Sequence, residues 1–339
     1  MNFASDTTAP AHPDVLQAVL AANDGAAPSY GADRWTKKAQ QALSAVFETE
    51  DIAVTFVNSG TAANALALSV LCPPDGAILC HENAHINRDE RGAPEFYTHG
   101  GKLHLLAGAH DLITVGAMTP VLADMDRHFV HETPVDVLSL SQLSEAGTAY
   151  TREDVKALCA LAHNADMRTH MDGARLANAL VSTGCSPADM TWRAGVDVLS
   201  FGFTKNGALG AEAIILFGEQ AKRLGALEAR RKRGGHMPPK QRFVAAQVLA
   251  MLQGGLWLDL AGQANKAAQV LAEGFVNAGA SLQHPVHGNE VFVCLRDGQA
   301  EALRKAGAQF YDWPDGSARF VTCWNTTLDD VQAALRVLS

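Results

Sequence analysis

Between residues 50 and 220, short β-prone runs alternate with segments of helical periodicity, which restricts the chain to an α/β layer architecture on a mostly parallel sheet. The runs are DIAVTFV (51–57), AILC (77–80), VDVLSLS (135–141), RTHM (168–171), VDVLSFGF (196–203) and AIILF (213–217), each bounded by Gly, Pro, Asn, Asp or Thr. After the first run, Ala63, Leu66, Ala67, Val70 and Leu71 repeat as one helical stripe. Thr151 and Asp154 have the spacing of a capping box ahead of Val155, Leu158, Cys159 and Ala162. Past a helical segment at 241–253, the pattern becomes helix, strand VFVCL (291–295), helix, strand ARFVTC (318–323) and a helix from Thr327. This predicts a large domain over 1–250 and a smaller α+β domain over 251–339.

Charge and cysteine usage narrow the partners. With 27 basic against 36 acidic side chains the net charge is -9, the wrong sign for general attraction to a phosphate backbone. The expectation is no nucleic-acid partner. No run approaches the roughly 18 to 20 uninterrupted apolar residues of a membrane span, so no membrane partner is expected either. The six cysteines are scattered without a C-x-x-C pair and read as reduced core thiols. The opening MNFASDTTAPAHPD has neither a basic start nor an apolar stretch. The expected location is the cytoplasm.

In an open α/β sheet, ligands sit beyond the carboxyl ends of the strands, so polar residues just after each strand are where chemistry is sought. Ser59, Gly60 and Thr61 follow the first strand and open a helix, an anion site or an ordinary N-cap. Asp172 ends the strand at 168–171, with Arg175 three residues on. That carboxylate suits a protonated ring nitrogen, or simply caps a helix. Lys205 follows a strongly apolar strand beside Thr204, where an amine can form a Schiff base or merely meet solvent. Each signal alone is weak. In this order, however, they supply a phosphate site, a pyridinium partner and an aldehyde-binding amine, the three things pyridoxal phosphate needs.

At these residues the chain resembles the threonine aldolase branch of the aspartate aminotransferase superfamily, fold type I. The resemblance runs through SDTT, YGADRWT, NSGTAANALAL, ENAHINRDERGAPEF, HMDGARLANAL, FGFTKNG, RKRGGHM and ARFVTCW, and so spans nearly the whole chain. It is most specific to the low-specificity L-threonine and phenylserine aldolases. It implies pyridoxal 5'-phosphate as cofactor, Lys205 as its Schiff-base residue, Asp172 on the pyridinium nitrogen, and Ser59, Gly60 and Thr61 as the phosphate cup. Thr204 is implied to add a hydroxyl, and His85 to stack on the ring. Arg175, Ser5 and Arg319 are implied at the substrate carboxylate. Tyr30 and Lys232 match residues that approach the site from a neighbouring subunit, and His131 matches a second active-site histidine. The implied assembly is a homodimer, or a tetramer built from dimers. In place of the family's Gly-rich Met-Arg segment this chain reads GGHMPPKQRF, which leaves open the residue that grips the phosphate from a partner.

The implied reaction is retro-aldol cleavage of an L-β-hydroxy-α-amino acid to glycine and an aldehyde, with His85 as the favoured base and His131 or a water as the other choices. A β-eliminating lyase or an aminotransferase would use the same cofactor residues. A non-catalytic binding protein would not need them all. A rival motif, His81-Glu82-Asn83-Ala84-His85, has the H-E-x-x-H form of zinc hydrolases, but it follows a strand and has no third histidine in register. Arg230 to Arg233 read as a solvated helix end, and Trp257, Trp313 and Trp324 as packing against the small domain.

Overall fold

A computed structural model describes residues 1–338. Its larger sheet comprises β1 (Ile52–Val57), β2 (Ala77–His81), β3 (Lys102–Leu106), β4 (Val135–Ser141), β5 (Arg168–Gly173), β6 (Val198–Gly202) and β7 (Glu212–Phe217). The spatial order is β1-β7-β6-β5-β4-β2-β3. Only β7 runs against its neighbours. Six strands therefore deliver their carboxyl ends to one edge. The register pairs Ser141 with Asp172 and Asp172 with Ser200, so the loops after β4, β5 and β6 leave the sheet side by side.

Every residue of β2, β6 and β7 is buried, which is why these strands read as continuous apolar runs. The edge strand β3 was not expected: in KLHLL, Lys102 and His104 face solvent and hide the pattern. The helix Gly60–Leu71 is buried from Ala62 to Leu71, a wider apolar face than its predicted stripe. The capping box of Thr151 and Asp154 forms as expected, its hydroxyl and carboxylate each accepting from the other's backbone amide.

A second, wholly antiparallel sheet comprises β8 (Ser281–Leu282), β9 (Glu290–Cys294), β10 (Tyr311–Asp312) and β11 (Ala318–Val321) in the order β10-β11-β9-β8. Its core gathers Leu271, Phe275, Val291, Val293, Phe310 and Phe320, with Phe310 stacked on Phe320 at 4.3 Å. Phe3 belongs to this core and is fully buried, a contribution of about 1.5–3 kcal/mol. It is held by backbone bonds from Phe3 N to Gln309 O and from Val321 N to Phe3 O, both 2.8 Å. The N-terminal segment thus threads through the second core before it reaches the edge of the large sheet.

The helix Leu256–Asn277 joins the two cores, with Trp257, Leu260 and Ala261 in the first and Ala267, Ala268 and Leu271 in the second. Together with the helix Arg242–Leu252 it makes a stretch whose most apolar 18-residue window has a mean hydropathy of 1.4, long and apolar enough for a membrane span by length and composition. Gly254 and Gly255, at φ +63° and +80°, break that stretch. Trp257 and Trp324 pack against the first core rather than the small domain, and Trp313 meets Phe292 in an edge-to-face contact. Arg231 is likewise not solvated. It is fully buried, donating to Phe56 O at 2.6 Å and Gln241 Oε1 at 2.7 Å while pairing with Glu228. All six cysteines are free.

Candidate active site

Two connected cavities open at the carboxyl edge of the large sheet. The inner one, about 220 Å³, has Ser59, Gly60 and Thr61 at one end and Asp172, Thr204, Lys205 and His85 along its walls. The extended backbone of Ser59 lets its Oγ accept from Ala62 N at 3.2 Å, so it is the N-cap of the helix Gly60–Leu71. The amides of Gly60 and Thr61 have no carbonyl a turn earlier to bond. With the positive end of the helix dipole they make an anion cup.

Asp172 is buried at the end of β5. Its Oδ1 accepts from Ala174 N at 3.0 Å and its Oδ2 from Asn64 Nδ2 at 2.8 Å. The same Asn64 nitrogen donates to Glu90 Oε1 at 2.9 Å, and Glu90 Oε1 lies 2.8 Å from His85 Nδ1. An unbroken chain of hydrogen bonds therefore runs from His85 through Glu90 and Asn64 to Asp172. The bond to Glu90 raises the His85 pKa above its ordinary value, and burial raises the Glu90 carboxyl as well.

Lys205, in the short helical turn after β6, makes no hydrogen bond or ion pair with any described residue. Thr204 beside it accepts from Ala211 N at 3.1 Å and touches Glu212, whose carboxyl burial pushes up to about 7. A free amine, an anion cup and a buried carboxylate on one small cavity are the groups pyridoxal phosphate requires. The residues present fit that cofactor.

The outer cavity, about 810 Å³, is walled by Ser5 and Thr7 of the N-terminal segment, by Arg88 and Asp111 of the large domain, and by Phe292, Tyr311, Trp313 and Arg319 of the small one. Ser5 caps the turn Asp6–Thr8. Arg319 lies 5.5 Å from the Tyr311 ring centre and 4.9 Å from that of Trp313, and donates to Ala4 O at 3.2 Å. Its Nε is buried without a partner, and no carboxylate pairs with it among the described residues. A stacked, unpaired guanidinium is suited to a ligand carboxylate.

Arg175 departs from its implied role. It lines both cavities, but its fork is filled by Asp6 (Nε to Oδ2 at 2.8 Å, Nη2 to Oδ1 at 3.1 Å), and Nη1 lies 3.3 Å from Glu290. Burial alone would raise the Asp6 carboxyl, yet Arg175 and Lys205 hold it below the usual carboxylate range. The guanidinium thus ties the N-terminal segment to β5 and β9. Its charge is matched inside the protein.

His131 lies apart from these residues. It lines a separate cavity with Ala77, Lys102 and Val135, the first residues of β2, β3 and β4, at the opposite edge of the sheet. Within its own protomer it does not share the site of Lys205. Tyr30 and Lys232 also lie outside both cavities and pack on each other, the Lys232 Nζ 4.4 Å from the Tyr30 ring centre. The H-E-x-x-H segment fails as a metal face. His81 closes β2 with Nε2 3.2 Å from Gly108 O, whereas His85 opens the next helix and faces the inner cavity.

Sequence reasoning missed Asp6, Asn64, Glu90, Glu145, Glu212 and Glu290. Asp6, Asn64 and Glu90 lie within quoted segments, SDTT, NSGTAANALAL and ENAHINRDERGAPEF, but their partners are distant in sequence.

The chain is similar to known proteins over nearly its full length. Residues 2–298 match the beta-eliminating lyase family. A low specificity L-threonine aldolase of Pseudomonas aeruginosa is 41% identical over 98% of this chain and 96% of its own. A second, from a Pseudomonas species, is 38% identical over 96% and 93%. Among solved structures, the Leishmania major threonine aldolase superposes with a TM-score of 0.92 at 25% identity, covering 99% of this chain and 98% of its own. The serine palmitoyltransferase of Sphingomonas wittichii, at 15% identity and a TM-score of 0.74, shares the fold, with 100% of this chain and 86% of its own covered. An unpaired amine, a networked carboxylate and a full-length likeness to threonine aldolases agree on one assignment: the chain belongs to the beta-eliminating lyase family, in its threonine aldolase branch.

Proposed function

We propose that this protein is a pyridoxal phosphate-dependent aldehyde-lyase that cleaves L-threonine and related L-β-hydroxy-α-amino acids, phenylserine among them, to glycine and an aldehyde. The observation that carries the reading is the unpaired Lys205 amine on one cavity with Asp172 and the helix N-terminus at Ser59. The names of the full-length relatives agree with it.

When bound, the cofactor supplies an electron sink for the pair released as the Cα–Cβ bond breaks. Lys205 would supply the amine that holds its aldehyde. Asp172, oriented by Asn64 and Ala174 N, would hold the proton on the ring nitrogen. Ser59, Gly60 and Thr61 would take the phosphate, with the Thr204 hydroxyl on the same cavity. Arg319 and Ser5 grip the substrate carboxylate in the outer cavity, which fixes the bond to be broken relative to the ring. His85, its Nδ1 committed to Glu90, presents its other nitrogen to the reacting atoms.

We place Tyr30 and Lys232 at a boundary between subunits of a homodimer or tetramer. Their mutual packing outside the protomer's own cavities supports that reading. We further propose a cytoplasmic location, supported by six unpaired thiols, four of them buried.

The test is spectroscopic and chemical. The purified protein should carry an absorbance band near about 420 nm that borohydride removes and Lys205→Ala lacks. Added L-threonine should give glycine and acetaldehyde. Ammonia and a keto acid instead would assign the site to β-elimination or transamination, and a protein that binds no pyridoxal phosphate would overturn the reading.

A further inference from the structure

Five residues line both cavities: Thr7, His85, Glu145, Arg175 and Lys205. They form the throat between the inner and outer spaces. A substrate whose amine reaches Lys205 and whose carboxylate reaches Arg319 must carry its Cα and Cβ through that throat. The group that accepts the β-hydroxyl proton therefore belongs to this set.

Four of the five are otherwise engaged. A Thr7 hydroxyl is too weak a base near neutral pH. Arg175 is held charged by Asp6 and Glu290. Lys205 is the residue that carries the cofactor. His85 is tied through Nδ1 to Glu90, and that bond favours its protonated form, which is a poor base. Glu145, like Lys205, has no hydrogen bond or ion pair with any described residue, and it is the one carboxylate of the five that line the throat.

The backbone holds it there. Ser144 N donates to Thr148 O and Gly147 N to Ser144 O, both at 2.9 Å, closing a tight turn directly after β4. The hydroxyls of Ser144 and Thr148 both donate to His110 O, at 3.0 and 2.7 Å, and fasten the turn to the neighbouring loop. Gly147 sits at φ +72°, where a side chain would meet Glu290 Cβ at 2.9 Å. The turn therefore demands glycine there and aims the residue two positions earlier at the site.

We propose that Glu145 is the catalytic base for the β-hydroxyl in the aldol cleavage assigned above, with Glu90 positioning His85 beside it. The inference rests on that assignment. The hydroxyl O–H bond breaks, its proton passes to a Glu145 oxygen, and the oxygen's electron pair forms the aldehyde C=O. The Cα–Cβ pair stays on the Cα side, delocalised into the cofactor. Protonation of Cα then gives glycine. The proton lost from oxygen equals the one gained at carbon, so the balance needs no other reactant. The charged groups around Glu145 agree with this role. Burial pushes its carboxyl up to about 7, opposed by Lys205, His85 and Arg175 and reinforced by Glu290. His81, Asp111, Asp172 and Glu212 also stand on the adjoining walls, with Arg88 and Arg319 farther out in the outer cavity. Such a group changes hands with a proton near neutral pH.

The test separates two partial reactions of the cofactor-loaded enzyme: cleavage of L-threonine, and exchange of the glycine α-hydrogen in heavy water followed by NMR. The exchange involves Cα chemistry but no β-hydroxyl. Glu145→Gln should lower cleavage by about 10²–10⁴-fold and leave exchange within a few-fold of the wild type. Glu145→Asp should recover part of the cleavage and move the acidic limb of its pH profile. Infrared difference titration of wild type against Glu145→Gln, with no substrate present, should show a carboxyl band that is lost as pH rises through about 7. Equal loss of cleavage and exchange in Glu145→Gln, or no loss of either, overturns the proposal. A wild-type enzyme that performs neither reaction instead sinks the functional assignment itself.

Discussion

Around the inner cavity, ionisable groups are wired to one another: His85 to Glu90, Glu90 to Asn64, and Asn64 to Asp172, all within the large domain. The outer cavity draws on three segments of chain, and both Arg319 and Glu145 face it without a carboxylate or a donor. The first arrangement spends its polar groups on each other and so fixes a geometry before any ligand arrives. The second leaves polar groups for a ligand to complete. A resident cofactor calls for the former, and a substrate that must enter and leave calls for the latter.

After Glu145→Gln, the largest effect expected from breaking this contrast is at Arg319. Arg319→Ala removes a charge-assisted contact of about 1.5–3 kcal/mol, so KM for L-threonine should rise about 10- to 100-fold while cofactor absorbance is unchanged. Steady-state kinetics beside the visible spectrum check both halves. Next is the wired side. Asn64→Ala strips Glu90 and Asp172 of their shared donor and should cost about 1–3 kcal/mol in denaturant unfolding, with weaker cofactor retention on dialysis.

A smaller effect sharpens the contrast through pH. Glu145 and Glu212 both stay protonated in the folded state up to about 7, above the 4.5 ordinary for glutamate. Between these pH values each of the two binds more proton in the folded chain than in the unfolded one, so their contribution to stability falls as pH rises. His85, raised by Glu90, acts in the same direction, stabilising most below its ordinary 6.5 and losing that contribution as pH rises through its folded value. Glu212→Gln should flatten part of this slope in unfolding measured from pH 4.5 to 7.5. The smallest effect is the null expected at His131: His131→Ala should leave kcat/KM for L-threonine unchanged, because the residue sits at the far edge of the sheet.

The strands that build the site were legible because burial on both faces leaves an unmixed apolar run, as in AIILF and VDVLSLS. The strand β3 was not, since an exposed edge needs no apolar alternation, and β8 and β10 are two residues each. Ser59, Asp172 and Lys205 could be found from position alone, because strand ends converge on one edge. Asn64 and Glu90 could not. Their bonds join residues brought together only by the fold, Asn64 to Asp172 across 108 positions. Arg175 shows the other limit: its identity was readable, but the two carboxylates that occupy it come from residues 6 and 290.

The threading of Phe3 between Gln309 and Val321 also has a consequence for the order of assembly. A ribosome releases the first residues of this chain long before their partners exist, so Ser5 and Asp6 wait unpaired while the large sheet forms behind them. Only when β11 has emerged can the amino terminus dock, and with it the walls of the outer cavity. A nascent chain stalled before residue 318 lacks Arg319 and the docked Ser5 and Thr7, and synthesis itself thereby sets when this enzyme can first hold a substrate.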